Sequence, residues 1–149
     1  MDKIENFKTN MAELDYKVIK FLFRGNNLIK IGVLSDKMEV PHSTLGSCIG
    51  RLKKKGLVKY EPYYEVELTS EGEELAKEIL RHKHLIEIFF YRELRLSKEK
   101  AHKESEKINL LFSCETINKI CEKYGHPKKC PCGETILNSR LCYCKQSNY

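Results

Sequence analysis

The stretch from Val40 to Val58, VPHSTLGSCIGRLKKKGLV, holds three signals at once. Leu45, Ile49 and Leu52 recur at i, i+4 and i+7, so at about 100° per residue they predict one narrow apolar stripe along a helix. Ser43, Ser47, Gly50 and Lys54 fall opposite the stripe, with Arg51 at its shoulder, leaving an outer face of small groups and cations. Pro41 suits the entry turn and Gly56 suits the position just past the last turn. From His42 to Tyr60 the cations are Arg51, Lys53, Lys54, Lys55 and Lys59, and there is no acid. A single basic run is ordinarily a solvated helix face. A face laid against a polyanion is the other reading, and the elements on either side decide between them.

Working outward, Asn10 and Glu13 form a candidate N-cap pair, and Leu14, Val18, Phe21 and Leu22 repeat at helical spacing until Arg24-Gly25-Asn26-Asn27. A shorter helix is expected from Ile31 to Met38, with Leu34 and Met38 inward, and Glu39-Val40-Pro41 turns into the basic helix. Helix, helix, turn, helix is the order of a helix-turn-helix unit. After Gly56, Leu57 to Tyr60 and the alternating Tyr64, Val66 and Leu68 read as a two-stranded hairpin, the wing. Ser70 and Glu73 mark the start of a long helix carrying Leu75, Ile79, Ile86, Phe89 and Phe90 as far as Leu94. Its apolar surface exceeds what a small winged domain covers, which points to a second domain and to pairing of two subunits. Ser97 is expected to cap a helix over residues 98–112, and Ser113 another that ends at Tyr124-Gly125 before Pro127. The predicted fold is therefore mostly α. A winged helix-turn-helix domain (1–70) precedes an all-helical dimerisation domain (71–125) and an irregular cysteine-rich tail (126–149).

Composition agrees with this outline. The 149 residues are 41% hydrophobic and 32% charged, with a net charge of +6, which suits an acidic partner such as nucleic acid. No apolar run approaches the roughly 20 residues that span a bilayer, and MDKIENFKTN lacks the apolar core of a secretion signal. A cytoplasmic protein is expected, in which seven cysteines serve as buried thiols, metal ligands or redox groups rather than as structural disulfides.

The order of elements and several strings resemble the diphtheria-toxin-repressor and manganese-transport-repressor family of metal-dependent transcriptional regulators. LTSEGEELAKEILRHKHLIEIFF is similar to that family's wing exit and linking helix, AHKESEKINLLFSCET to its metal-ligand helix, and HPKKCPCGETI to the string closing its second domain. The resemblance runs from about Met11 to Ile136. It implies a homodimer that binds a double-stranded DNA operator, with a divalent ion such as Fe2+ or Mn2+ setting the affinity. It places Asp15, Glu87, His102 and Glu106 where the family has ligands. Lys83 stands where the family has a histidine, and Asn109 and Leu110 replace its Glu-His pair. A protonated lysine cannot coordinate an ion. Lys83 lies one turn from Glu87, so its charge is expected to hold Glu87, and Glu106 with it, in place of an ion, leaving the inherited site empty or weak. His84, also one turn from Glu87, is a candidate substitute donor, whereas His82 falls on the apolar side as a core imidazole.

Cys130-Pro-Cys132 and Cys142-Tyr-Cys144 give C-x-C, nine residues, C-x-C. Four thiolates satisfy either a tetrahedral Zn2+ or an iron–sulfur cluster, and the spacing does not choose between them. Cys48, Cys114 and Cys121 lie on predicted helices as small buried hydrophobes. The function expected is a sequence-specific DNA-binding regulator, acting as a repressor, that senses iron, iron–sulfur status or another transition metal through the four cysteines. The alternatives are the same regulator with purely structural zinc and, more remotely, a thiol redox enzyme, for which the chain offers no C-x-x-C and no thioredoxin-like alternation. Ser43, Thr44, Ser47 and Arg51 are the candidates for base edges or nearby phosphates, and Lys53, Lys54 and Lys59 for phosphates.

Overall fold

The protein is described here by a computed structural model covering residues 11–25, 28–110 and 112–140. The chain divides into two compact units, Thr9–Ala76 and the part from Lys77 onward.

In the first unit, α1 (Glu13–Gly25), α2 (Ile31–Met38) and α3 (His42–Lys54) occur with a small sheet made of β1 (Ile29–Lys30), β2 (Val58–Lys59) and β3 (Glu65–Leu68). The Leu45, Ile49 and Leu52 stripe of α3 is fully buried, together with Val18, Ile19, Leu34, Leu57 and Val66. On α1, Val18 and Leu22 are buried as the periodicity requires, while Leu14 and Phe21 are only half-buried and Ile19 goes inward instead. The proposed cap Asn10 lies outside the described residues. Gly56 follows α3 with φ of +73°, the left-handed conformation that ends a helix cheaply only at glycine.

The expected hairpin forms as β2 and β3, and β1 adds a third strand that the sequence does not announce. The sheet order is β1-β3-β2, with Val58 paired to Leu68 and Ile29 paired to Val66, all antiparallel. A two-residue strand such as β1 has too few positions to show alternation, so sequence periodicity does not reveal it.

Helix α4 (Ser70–Arg92) contributes its first turns to this unit and the rest to the other. Its cap is Thr69 rather than Ser70. The Thr69 hydroxyl accepts from the Gly72 amide at 3.1 Å and donates to the Gly56 carbonyl at 2.6 Å, so one side chain closes two chain ends.

In the second unit, Leu85, Ile86 and Ile88 of α4 pack with Ile117 and Cys121 of α6 (Cys114–Lys123), joined by half-buried Phe90, Ile108, Tyr124 and Ile136. Ser97 caps α5 (Lys98–Ser105) and Ser113 caps α6, as expected. α5 stops seven residues before Phe112. The Ser105 hydroxyl donates to the His102 carbonyl, and the Lys107 and Ile108 amides bond carbonyls three residues back, which tightens the chain out of the helix. The tail makes a tight turn in which the Cys130 amide donates to the Glu134 carbonyl and Gly133 has φ of +90°. Among the described residues no helix is long and apolar enough to cross a membrane.

The middle of α4 is unusual. Glu78, Arg81, His82, Lys83, His84 and Glu87 are all buried. Charged groups out of water need partners, and those partners define the candidate sites.

Candidate nucleic-acid interface and candidate metal centre

The outer face of α3 is what the stripe predicts. Ser43, Thr44, Ser47, Gly50, Lys53 and Lys54 are exposed, and so is Lys59 on β2. Ser47 folds its hydroxyl back onto the Ser43 carbonyl, Lys53 reaches Glu61 at 3.5 Å, and Lys59 reaches Glu67 at 4.0 Å. These last two are exposed pairs of small energy that a phosphate can replace.

Arg51 behaves differently from the other cations. Its Nη2 donates to Asp15 Oδ1 at 2.7 Å and its Nε to Asp15 Oδ2 at 3.2 Å, while the Ala12 amide donates to Oδ2 at 3.0 Å. Asp15 is fully buried. Burial pushes its carboxyl upward, but the Arg51 fork, the neighbouring Cys48 and the Ala12 amide outweigh this and hold it below the usual value of 3.8. The carboxylate expected as an ion ligand is thus taken by a guanidinium that fixes α3 to α1, and an ion would have to displace it. Asp15→Asn is expected to cost about 1 to 2 kcal/mol, allowing for the solvent that reaches Arg51. The folded pKa is depressed, so this contribution is present above the unfolded value and is lost as the pH falls through the folded one. Urea midpoints of the two proteins should therefore differ at pH 7 and converge in acid; a constant difference would show that the charge is not responsible.

The second constellation lies on α4, α5 and the tail. Lys83 is completely buried, and its Nζ donates to Glu87 Oε1 at 2.9 Å, lies 3.2 Å from His102 Nδ1 and 3.4 Å from Glu106 Oε1. The same His102 Nδ1 lies 3.2 Å from Glu87 Oε1, so Lys83 and His102 converge on one carboxylate oxygen. Ser105 adds a hydroxyl to Glu87 Oε1 at 3.3 Å. Burial raises the Glu87 carboxyl, yet the Cys130 thiol, the Lys83 ammonium and the charge of His102 together bring it below its ordinary value. Burial, followed by the Glu87 carboxylate, pushes the Cys130 thiol up to about 11.

Cys132 is exposed, and its Sγ comes within 4.8 Å of the ligand atoms of Glu87 and His102. Two sites that the sequence presents separately, the inherited carboxylate-imidazole seat and the first cysteine pair, are therefore one place. Glu106 caps the end of α5, its amide donating to the His102 carbonyl at 3.1 Å, so the helix expected as far as residue 112 does not carry Asn109 onto the face of His102 and Glu106. His84 instead meets Glu134, Nε2 to Oε2 at 2.9 Å, and burial lowers its pKa. Cys142 and Cys144 lie outside the described residues.

The donor set discriminates among ions. Glu87 Oε1 is engaged by Lys83, whereas the buried Oε2 has no hydrogen-bond partner among the described residues. A carboxylate, an imidazole and a thiolate fit a thiophilic divalent ion such as Zn2+. They do not fit the oxygen-rich octahedral sphere that Mn2+ prefers, and Lys83 already fills the cation seat between Glu87, His102 and Glu106.

A winged helix with an exposed hydroxyl-and-lysine face, followed by a helical unit with a polar ion seat, defines a class of DNA-binding regulator. The sequence pattern of the iron dependent repressor, metal binding and dimerisation domain matches residues 69–138. The chain is 30% identical over 104 residues to an uncharacterised HTH-type transcriptional regulator of Methanocaldococcus jannaschii, covering 70% of this chain and 83% of that one. It is 25% identical over 104 residues to the HTH-type transcriptional regulator MntR of Lysinibacillus sphaericus, covering 70% and 74%. A manganese-dependent transcriptional repressor solved with manganese superposes with a TM-score of 0.71 at 25% identity, over 82% of this chain and 57% of that one. The chain belongs to the diphtheria-toxin-repressor and manganese-transport-repressor family of metal-dependent transcriptional regulators, and it is not an enzyme.

Proposed function

We propose that this chain is a homodimeric repressor that reads a double-stranded DNA operator through α3 and takes a thiophilic divalent ion, rather than Mn2+ or Fe2+, as its effector. The observation that carries the DNA reading is the division of α3, with Leu45, Ile49 and Leu52 fully buried and Ser43, Thr44, Ser47 and Lys54 exposed. Two such helices in a dimer meet successive major grooves roughly 34 Å apart. Arg51 serves mainly by orienting α3, since its guanidinium is committed to Asp15.

The effector reading rests on Cys132 converging with Glu87 and His102 beside the Lys83 ammonium. One imidazole and one carboxylate among the donors favour Zn2+ over an iron–sulfur cluster, which calls for a fuller set of thiolates. Cys130, beside Glu87, and the tail cysteines Cys142 and Cys144 are the further candidate ligands.

Selection from a random duplex pool tests the reading. A two-fold symmetric motif is expected, bound more tightly by zinc-loaded than by chelated protein and indifferently to Mn2+. Lys54→Ala should weaken all duplexes alike and reduce the salt slope by about one. No enriched motif would overturn the DNA reading, and equal affinity of loaded and chelated protein would make the ion purely structural.

A further inference from the structure

The buried middle of α4 contains a second polar group that the seat around Glu87 does not use. Glu78 and His82 stand one helical turn apart, both completely buried. His82 Nε2 is 2.6 Å from Glu78 Oε1, but without the alignment of a hydrogen bond. Glu78 Oε1 and both ring nitrogens of His82 consequently have no hydrogen-bond partner among the described residues. Buried polar atoms almost always have one, and a bound ion is among the few explanations when they do not.

A third donor arrives from α6. Cys114, its first residue, brings its Sγ so that this atom, a ring nitrogen of His82 and a carboxylate oxygen of Glu78 all lie within 4.8 Å of one another. The Ser139 hydroxyl donates to Glu78 Oε2 at 2.8 Å, which turns Oε1 toward His82. An outer hydrogen bond of this kind orients a ligating carboxylate. Arg81 stands nearby, its Nη1 3.9 Å from Glu78 Oε1 and its Nη2 donating to Asn118. A divalent ion must share Glu78 with that guanidinium, so a thiolate is needed to balance the charge.

We propose that Glu78, His82 and the thiolate of Cys114 form a second metal site, selective for thiophilic divalent transition-metal ions such as Zn2+. Three protein donors, one each of O, N and S, complete most of a tetrahedral sphere and exclude the hard ions Mg2+ and Ca2+. Cys114 is in the disulfide form in this structure and its sulfur ligates only as a thiolate, so the site belongs to the reduced protein. The site does not depend on the effector reading of Glu87, His102 and Cys132.

Co2+ is the probe, because a thiolate ligand gives it a charge-transfer band in the near ultraviolet and a tetrahedral site gives it intense visible bands. The full chain carrying Cys130→Ser and Cys132→Ser, reduced with a phosphine and kept anaerobic, should bind Co2+ with both signatures. Adding either Cys114→Ser or His82→Gln should then lower Co2+ affinity by more than the roughly 10- to 100-fold that losing an outer partner costs. Circular dichroism of the Cys114→Ser variant, the milder of the two, shows whether the fold is retained. Undiminished bands and affinity in both variants would overturn the site and leave Glu78 and His82 as a buried pair. Operator binding measured on the same samples reports separately on the proposed function.

Discussion

Lys83→Met should destabilise the protein by about 3 to 5 kcal/mol in the presence of a chelator, the cost of stripping one partner from a buried ion pair. Methionine matches the length and apolar stem of lysine, so packing is nearly conserved while the charge is lost. Glu87 would then be fully buried without the ammonium that now meets its Oε1, and Glu106 would lose the same partner. Urea denaturation at neutral pH measures the loss, and an unchanged slope keeps the comparison two-state. A loss under about 1 kcal/mol would mean that Lys83 is not the resident cation. Lys83→His is the informative companion, because it removes the fixed charge and adds a ring nitrogen that faces Glu87 and His102. It should bind Mn2+ in calorimetric titration where the unaltered chain does not. The same variant failing to bind would show that the missing donors at Asn109 and Leu110, not the ammonium, close the seat.

Lys83 also shows how far the sequence reaches. Its pairing with Glu87 is an i, i+4 relation on one helix and is legible without coordinates. So is the stripe of α3, because three apolar residues at 3.6-residue spacing leave little freedom of interpretation. His102 joining the pair, and Cys132 converging on both, are contacts between residues 15 to 45 positions apart and follow from packing alone. Asp15 illustrates the opposite failure. It occupies a ligand position by resemblance, yet a guanidinium 36 residues away takes both its oxygens. Local pattern gives the elements; which charged groups meet depends on how the elements close against one another.

Gly72→Ala should be the most damaging single methyl in the winged-helix unit. A Cβ at position 72 would overlap the Leu57 carbonyl oxygen and lie 3.0 Å from its carbon and 3.1 Å from a Leu68 methyl. Side chains swing aside at little cost, but Leu57 O belongs to the backbone and already accepts the Thr69 amide at 3.0 Å. Relieving the clash therefore breaks the join that Thr69 makes between the end of α3 and the start of α4. Overpacking of this kind costs about 3 kcal/mol or more when nothing flexible can yield. For a unit of this size the melting midpoint should drop by roughly 12 °C or more. Gly50→Ala is the control with the opposite sign. Gly50 is interior to α3, and no atom lies within 4 Å of its added Cβ. Alanine there should stabilise the fold by about 0.5 to 1 kcal/mol through helix propensity. Because Gly50 is exposed on the face proposed to meet DNA, the same methyl should weaken operator binding while the melting midpoint rises. Gly72→Ala should lower both quantities together. Stability and affinity moving in opposite directions at Gly50, and in the same direction at Gly72, would separate a surface that contacts a ligand from a joint that only positions it. A Gly50→Ala protein with unaltered operator affinity would remove this part of α3 from the interface.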